Sequence, residues 1–130
     1  MSSIAVGTRG EHRLVVTPEL AINFLGLEAA RVLATPALIM QLEMTARDSI
    51  VPLLDAGFDS VGTEVHVRHL AATPVGMQVT LHSEVVEVNG RAVRFKVEAF
   101  DEKEKIADGT HDRYIVNIER FAQRLAEKRA

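Results

Sequence analysis

Through much of its second half the chain alternates apolar and polar residues with a period of two. Met77, Val79, Leu81, Ser83 and Val85 alternate with Gln78, Thr80, His82 and Glu84. Val93, Phe95, Val97 and Ala99 alternate with Arg94, Lys96 and Glu98. Residues i and i+2 share one face of a strand, so each run predicts a strand with one buried and one solvated side. Asn89-Gly90 marks a hairpin between them. A strict two-residue loop would pair Val85 with Arg94 and set an apolar face against a polar one. Pairing Val85 with Phe95 removes the conflict, which predicts a three-residue loop with Gly90 in the left-handed conformation. "DEKEK", residues 101 to 105, reads as a solvated turn. A last strand follows over about 106 to 117, ahead of the amphipathic tail "IERFAQRLAEK".

Upstream the pattern differs. "GEHRLVV", residues 10 to 16, has strand character and stops at Thr17-Pro18. Residues 21 to 34 are apolar without clear period and predict a short helix and a loop. "TPALIMQLEMTARDSIVPLLDAG" then shows helical spacing, apolar almost all round in its first half, which predicts a buried helix. Thr35 suits the N-cap and Pro36 the first helical position. Pro52 ends or kinks the helix near Val51. A short strand, one buried helix and about four long antiparallel strands fit a sheet wrapped around a single helix. That is the hotdog arrangement, an α+β fold. Such a sheet leaves an exposed edge, so pairing with a second copy into one continuous sheet is expected.

Composition narrows the class. A chain of 130 residues fits one domain spanning 1–130, and 47% hydrophobic with 25% charged residues is ordinary for a globular protein. The net charge of −3 comes with no basic run, so no nucleic-acid partner is expected. The opening "MSSIAVGTRGEH" lacks the layout of a secretory signal, and no apolar run approaches the ~18 residues of a membrane span. With no cysteine, thiolate metal sites and disulfides are excluded, and a cytoplasmic protein is the default.

Three polar residues stand where apolar ones are expected. In "GTEVHVRHLAATPVG", residues 62 to 76, alternation puts His69 on the same face as Val65, Val67 and Ala71. A core histidine would explain it, as would a catalytic one. Glu43 lies within the helix and must be paired, hydrogen-bonded or protonated there. Arg47, one turn on, is the plain partner. Thr35 is either a helix cap or a reactive hydroxyl. A hydroxyl, a carboxylate and an imidazole can together make a nucleophile, a base and its orienter. A helix running unbroken from 36 to 43 would hold Thr35 and Glu43 about 12 Å apart along its axis. Either the helix starts after Pro36, or a second subunit completes the site. His66 and His69 face opposite sides of a strand and make a poor metal pair. His12, His82 and His111 have no acidic or histidine partner at a telling spacing. No metal, phosphate-loop or nucleotide motif appears, and no cofactor is expected.

The segments "ATPALIMQLEMTA" (34–46), "VGTEVHVRHLAATPVG" (61–76) and "DGTHDRYIVNIERF" (108–121) resemble the fluoroacetyl-CoA thioesterase group of the hotdog thioesterases. The resemblance runs from about Thr35 to Phe121 with order and spacing kept. It implies a catalytic set of a threonine, a glutamate eight residues later and the histidine of H-x-AATP, which fall on Thr35, Glu43 and His69. It also implies substrate contacts at Gly62 and Arg113. The specialist enzyme carries aromatic residues ahead of the threonine as a lid. The matching stretch here, "GLEAARVLA", has none, which predicts a wider range of acyl groups.

The resemblance implies an acyl-CoA thioesterase acting on a small or short-chain acyl group, as a homodimer or a dimer of dimers. Two mechanisms fit the residues. Thr35 attacks the thioester with His69 as base and Glu43 as its orienter, or Glu43 and His69 activate water while Thr35 and a backbone N–H hold the oxyanion. Two other readings use the same fold: a non-catalytic acyl-CoA or small-acid binding module, and a hotdog dehydratase or isomerase.

Overall fold

Residues 4–130 are described by a computed structural model. Five strands form one sheet: β1 (Arg9–Val15), β2 (Phe58–His69), β3 (Gln78–Asn89), β4 (Ala92–Phe100) and β5 (Lys105–Asn117). Their order is β1-β3-β4-β5-β2, with every neighbouring pair antiparallel. The helix α1 (Thr35–Ile50) packs on the inner face, and α2 (Ile118–Arg129) follows β5. This is the hotdog arrangement.

The long strands follow their alternation. Val79, Leu81, Ser83 and Val85 of β3 and Val93, Phe95, Val97 and Ala99 of β4 point inward and are buried. From α1 the core receives Leu38, Leu42, Ala46 and Ile50, a stripe four residues apart. Full burial of such a leucine or isoleucine stabilises by roughly 1.5–3 kcal/mol. The rest of α1 departs from the expectation of a helix buried all round. Met40 is 55% exposed and Met44 38%, because within the protomer the sheet covers only one side of α1.

The start of α1 also differs from expectation. The capping residue is Ala34, whose carbonyl accepts the bond from the Leu38 N–H at 3.0 Å. Thr35 is the first helical residue and Pro36 the second, so the Thr35 hydroxyl does no capping. The helix does not begin after Pro36. Its far end behaves as predicted: α1 stops at Ile50, and a single 3₁₀ turn, Val51–Leu53, carries Pro52.

The hairpin between β3 and β4 pairs Val85 with Phe95, and Gly90 has φ +63°. Asn89 pairs with Ala92, so the loop itself has two residues. The extra residue is absorbed by a bulge between Val85 and Glu87 rather than by the loop. The ambiguous stretch before α1 is a loop with one 3₁₀ turn, Glu28–Ala30, pinned by isolated bridges Ala21 to Leu33 and Val32 to Pro74; a second 3₁₀ turn, Pro18–Leu20, precedes it.

β2 starts at Phe58, earlier than the quoted stretch, and lies at one edge of the sheet. A second bulge, between Gly62 and Glu64, interrupts its pairing with β5. On one side of it Ser60 and Gly62 face inward, opposite Ile115 and Arg113; on the other Val65, Val67 and His69 do, opposite His111, Gly109 and Ala107. The bulge thus changes the parity of the strand. Val65, expected in the core, is 38% exposed, since nothing in the protomer lies beyond this edge. Among the described residues no helix is long and apolar enough to cross a membrane.

Candidate active site

The Thr35 hydroxyl and His69 Nδ1 lie 2.7 Å apart, a close hydrogen bond between the first turn of α1 and the last residue of β2. The hydroxyl donates and Nδ1 accepts when the imidazole is neutral with its proton on Nε2. That Nε2 is buried and has no partner among the described residues. Burial also pushes the His69 pKa below its ordinary value, which keeps the ring a free base. Thr35 and His69 open onto a pocket of about 390 Å³ with apolar walls from Phe24, Val32, Leu33, Leu70 and Ala71. Phe24, an aromatic residue of the loop two positions before "GLEAARVLA", is 76% exposed at its rim. A hydroxyl bonded to an imidazole in such a pocket can pass its proton and attack an electrophilic carbon.

Glu43 is not part of that pair. Eight residues into α1, its Oε1 lies 3.8 Å from His111 Nε2 and 3.8 Å from Arg113 Nη1. Arg47, the plain partner expected from spacing, is engaged elsewhere. It donates to Asp59 at 2.6 and 3.1 Å and to Asp48 at 3.0 Å. The Arg47 guanidinium accordingly holds the Asp59 carboxyl below its usual pKa.

The ground around Glu43 is built by β5 and β2. Arg113 is buried and its guanidinium is fixed: Nε donates to Ser60 Oγ at 2.7 Å and Nη2 to the Ser60 carbonyl at 2.8 Å. Its Nη1 donates to His111 Nε2 at 3.1 Å, while His111 Nδ1 donates to the Glu64 carbonyl at 2.9 Å. Burial pushes the pKa of both His111 and Arg113 down. Gly62 belongs to the same group because it has no side chain: a Cβ there would collide with Glu43 Oε1. So Glu43, Gly62 and Arg113 form one cluster and Thr35 and His69 another.

His111 had no partner at a telling spacing in the sequence, yet it sits beside Glu43 and Arg113. The signal lay in its i, i+2 relation to Arg113, which places both on the inner face of β5. Among the described residues no group of three His, Asp or Glu side chains is arranged to hold a metal.

The chain is similar to known proteins over most of its length. Residues 16–119 match the fluoroacetyl-CoA-specific thioesterase family. The fluoroacetyl-CoA thioesterase of Streptantibioticus cattleyicolor is 33% identical over 129 residues, covering 95% of this chain and 93% of the relative. A solved structure of the fluoroacetyl-CoA thioesterase FlK superposes with a TM-score of 0.87 at 32% identity, covering 97% of this chain and 98% of that one. A hot-dog-like protein from Thermanaerovibrio acidaminovorans gives the same TM-score, 0.87, at 25% identity over 95% and 91% of the two chains. The match spans every residue of both clusters, and the chain belongs to the fluoroacetyl-CoA-specific thioesterase family.

Proposed function

We propose that the protein is a cytoplasmic acyl-CoA thioesterase, a single-domain homodimer that hydrolyses a small or short-chain acyl-CoA to the free acid and coenzyme A. The observation that carries this reading is the 2.7 Å contact between the Thr35 hydroxyl and His69 Nδ1 at the wall of an apolar pocket. Family membership and the thioesterase relatives support it. A cytoplasmic location suits a substrate that is the cell's internal acyl carrier.

In this mechanism Thr35 Oγ attacks the thioester carbonyl carbon while its proton passes to His69 Nδ1. The C–S bond breaks and the departing thiolate takes the proton from the imidazolium. Water, activated by the same imidazole, then hydrolyses the threonyl ester and releases the acid. The direct hydrogen bond favours attack by Thr35 over attack by water.

Glu43 enters from a second protomer. Within one helix Thr35 and Glu43 are separated by about 12 Å of rise, and the helix is continuous between them. The exposed Met40, Met44 and Val65 lie on α1 and β2, beside an edge strand with unpaired backbone groups. Two-fold pairing of β2 with its copy, centred near Val65 and His66, would set His69 opposite the partner's Gly62. The partner subunit's Glu43 would then arrive with Gly62 and Arg113 as the substrate-facing wall beside the Thr35–His69 pair.

Release of free thiol from acetyl-, fluoroacetyl-, butyryl- and phenylacetyl-CoA tests the function. Hydrolysis of several of these at comparable specificity constants is expected. Binding without thiol release would support a non-catalytic module, and change in the acyl chain with the thioester intact would support a dehydratase or isomerase. Trapping an acyl-enzyme with wild type and Thr35→Ser, but not with Thr35→Ala, tests the nucleophile.

A further inference from the structure

A cleft of about 460 Å³ opens where the β3–β4 turn meets α2, well outside the Thr35–His69 pocket. It is lined by Arg91, Tyr114, Asn117, Arg120, Gln123, Arg124 and Glu127. Its arginines differ from the rest of the molecule's. Every arginine from Arg9 to Arg113 other than Arg91 has a carboxylate oxygen within 3.8 Å. Arg91 and the arginines of α2 have none among the described residues. Three guanidinium groups therefore converge on one concave surface with only Glu127 to offset them, in a chain whose net charge is −3.

Local geometry holds these groups in place. The Arg91 guanidinium lies over the Phe58 ring, 5.8 Å from its centroid. Arg120 and Arg124 are one turn apart on α2 and share a face, an unfavourable pairing of like charges unless an anion lies between them. Asn117 caps α2 by accepting the Arg120 N–H on Oδ1 at 3.1 Å, which leaves its amide N–H₂ free to donate. Tyr114, the chain's only tyrosine, is half-exposed and lines the cleft beside the arginines. Planar guanidinium forks and amide and phenol donors around an aromatic face match a phosphate group attached to an aromatic base.

We propose that this cleft binds a phosphate-bearing ligand, with Arg91, Arg120 and Arg124 on the phosphate oxygens and Tyr114 against an attached base. Two sources carry that chemistry: the phosphorylated nucleotide end of the CoA substrate, or a separate phosphorylated nucleotide. The first would run from the active site around the end of the sheet, since Tyr114 and its β5 neighbour Arg113 face opposite sides. That assignment rests on the thioesterase reading; phosphate binding itself does not.

The test compares wild type with Arg120→Gln/Arg124→Gln, and separately with Arg91→Gln, on acetyl-CoA and on S-acetylpantetheine, which lacks every phosphate of the nucleotide end. If the cleft holds the substrate, KM for acetyl-CoA rises by about tenfold or more in the double variant. Its kcat, and both constants for S-acetylpantetheine, stay at wild-type values. If the ligand is separate, the kinetics are unchanged, but adenosine 3′,5′-bisphosphate shifts the Tyr114 ring resonances of wild type and not those of the double variant. Unchanged kinetics together with no shift in wild type would overturn the proposal. Absence of thiol release from every thioester would sink the thioesterase reading alone, because the nucleotide titration still reads the cleft.

Discussion

A shared active site makes a sharp demand on mixed dimers. Thr35→Ala removes the proposed nucleophile and Glu43→Gln removes the carboxylate's charge, and each homodimer should lose at least ~100-fold in kcat, the range of general acid–base groups. The two positions are eight residues apart on one continuous helix, about 12 Å along its axis. Hydrogen bonding needs about 2.6–3.2 Å, and Glu43 is turned toward His111 and Arg113 rather than back along α1. No side-chain rotation closes that gap within one protomer. In a two-fold dimer with one variant on each chain, one site lacks both groups and the other has both. A purified heterodimer should recover about half of wild-type activity, and a fully exchanged equal mixture about a quarter. The assay is thiol release after co-expression with two tags and tandem purification. A heterodimer no more active than its parents would refute the shared site, and with it the role given to Glu43.

Other expectations follow from the same geometry. Arg47→Ala breaks the bonds to Asp59 and Asp48 and should lower the melting temperature slightly, because the pair is partly exposed, while kcat barely moves; a large rate loss would return Arg47 to the site. Gly62→Ala should fold, since the far end of the Glu43 side chain can yield and His111 Cε1, 3.2 Å from such a Cβ, need give only slightly, but kcat should fall at least ~10-fold as the carboxylate is displaced; unchanged turnover would remove Glu43 from the chemistry. Burial lowers the His69 pKa from 6.5, so the base stays neutral until below that value, and the acid limb of kcat/KM should lie below pH 6.5. His111 is shifted the same way. Both bind protons less readily folded than unfolded, so stability should be full above about pH 6.5 and decline as pH falls through it; a denaturant midpoint that rises on acidification would contradict this.

What could be read from the sequence depended on how local the cause was. The alternation in β3 and β4 reports burial on one side of a sheet, so those strands and the Val85–Phe95 register were legible. Thr35 and His69 were legible only through the family motif, since no periodicity says that residues 34 apart will touch. Arg47 was misleading: one-turn spacing with Glu43 is a true local preference, overridden by Asp59 on β2. The bulge beside Gly62 was invisible to counting in twos. Alternation alone puts Gly62 and His69 on opposite faces, and the inserted residue returns both to the inner one. Met40, Met44 and Val65 read as core, and the protomer leaves them exposed because the sheet covers only one side of α1 and β2 lies at its edge.

The uncapped start of α1 has a further consequence. Ala34 offers no side-chain oxygen, Pro36 has no N–H, and the Leu38 N–H is taken by the Ala34 carbonyl. The Thr35 and Ala37 N–H groups are then the free donors of the first turn among the described residues, at the positive end of the helix macrodipole and beside the proposed nucleophile. That end favours negative charge by about 0.3–1 kcal/mol, and up to ~2 when partly buried, so a forming alkoxide or oxyanion at Thr35 is stabilised by backbone alone. Ala34→Asp or Ala34→Ser would add a cap worth about 1 kcal/mol of stability while drawing the Ala37 N–H away. With Thr35 as the proposed nucleophile, the helix start forgoes stability where a forming negative charge would be held, and a more heat-resistant but slower enzyme is what a cap at Ala34 should yield.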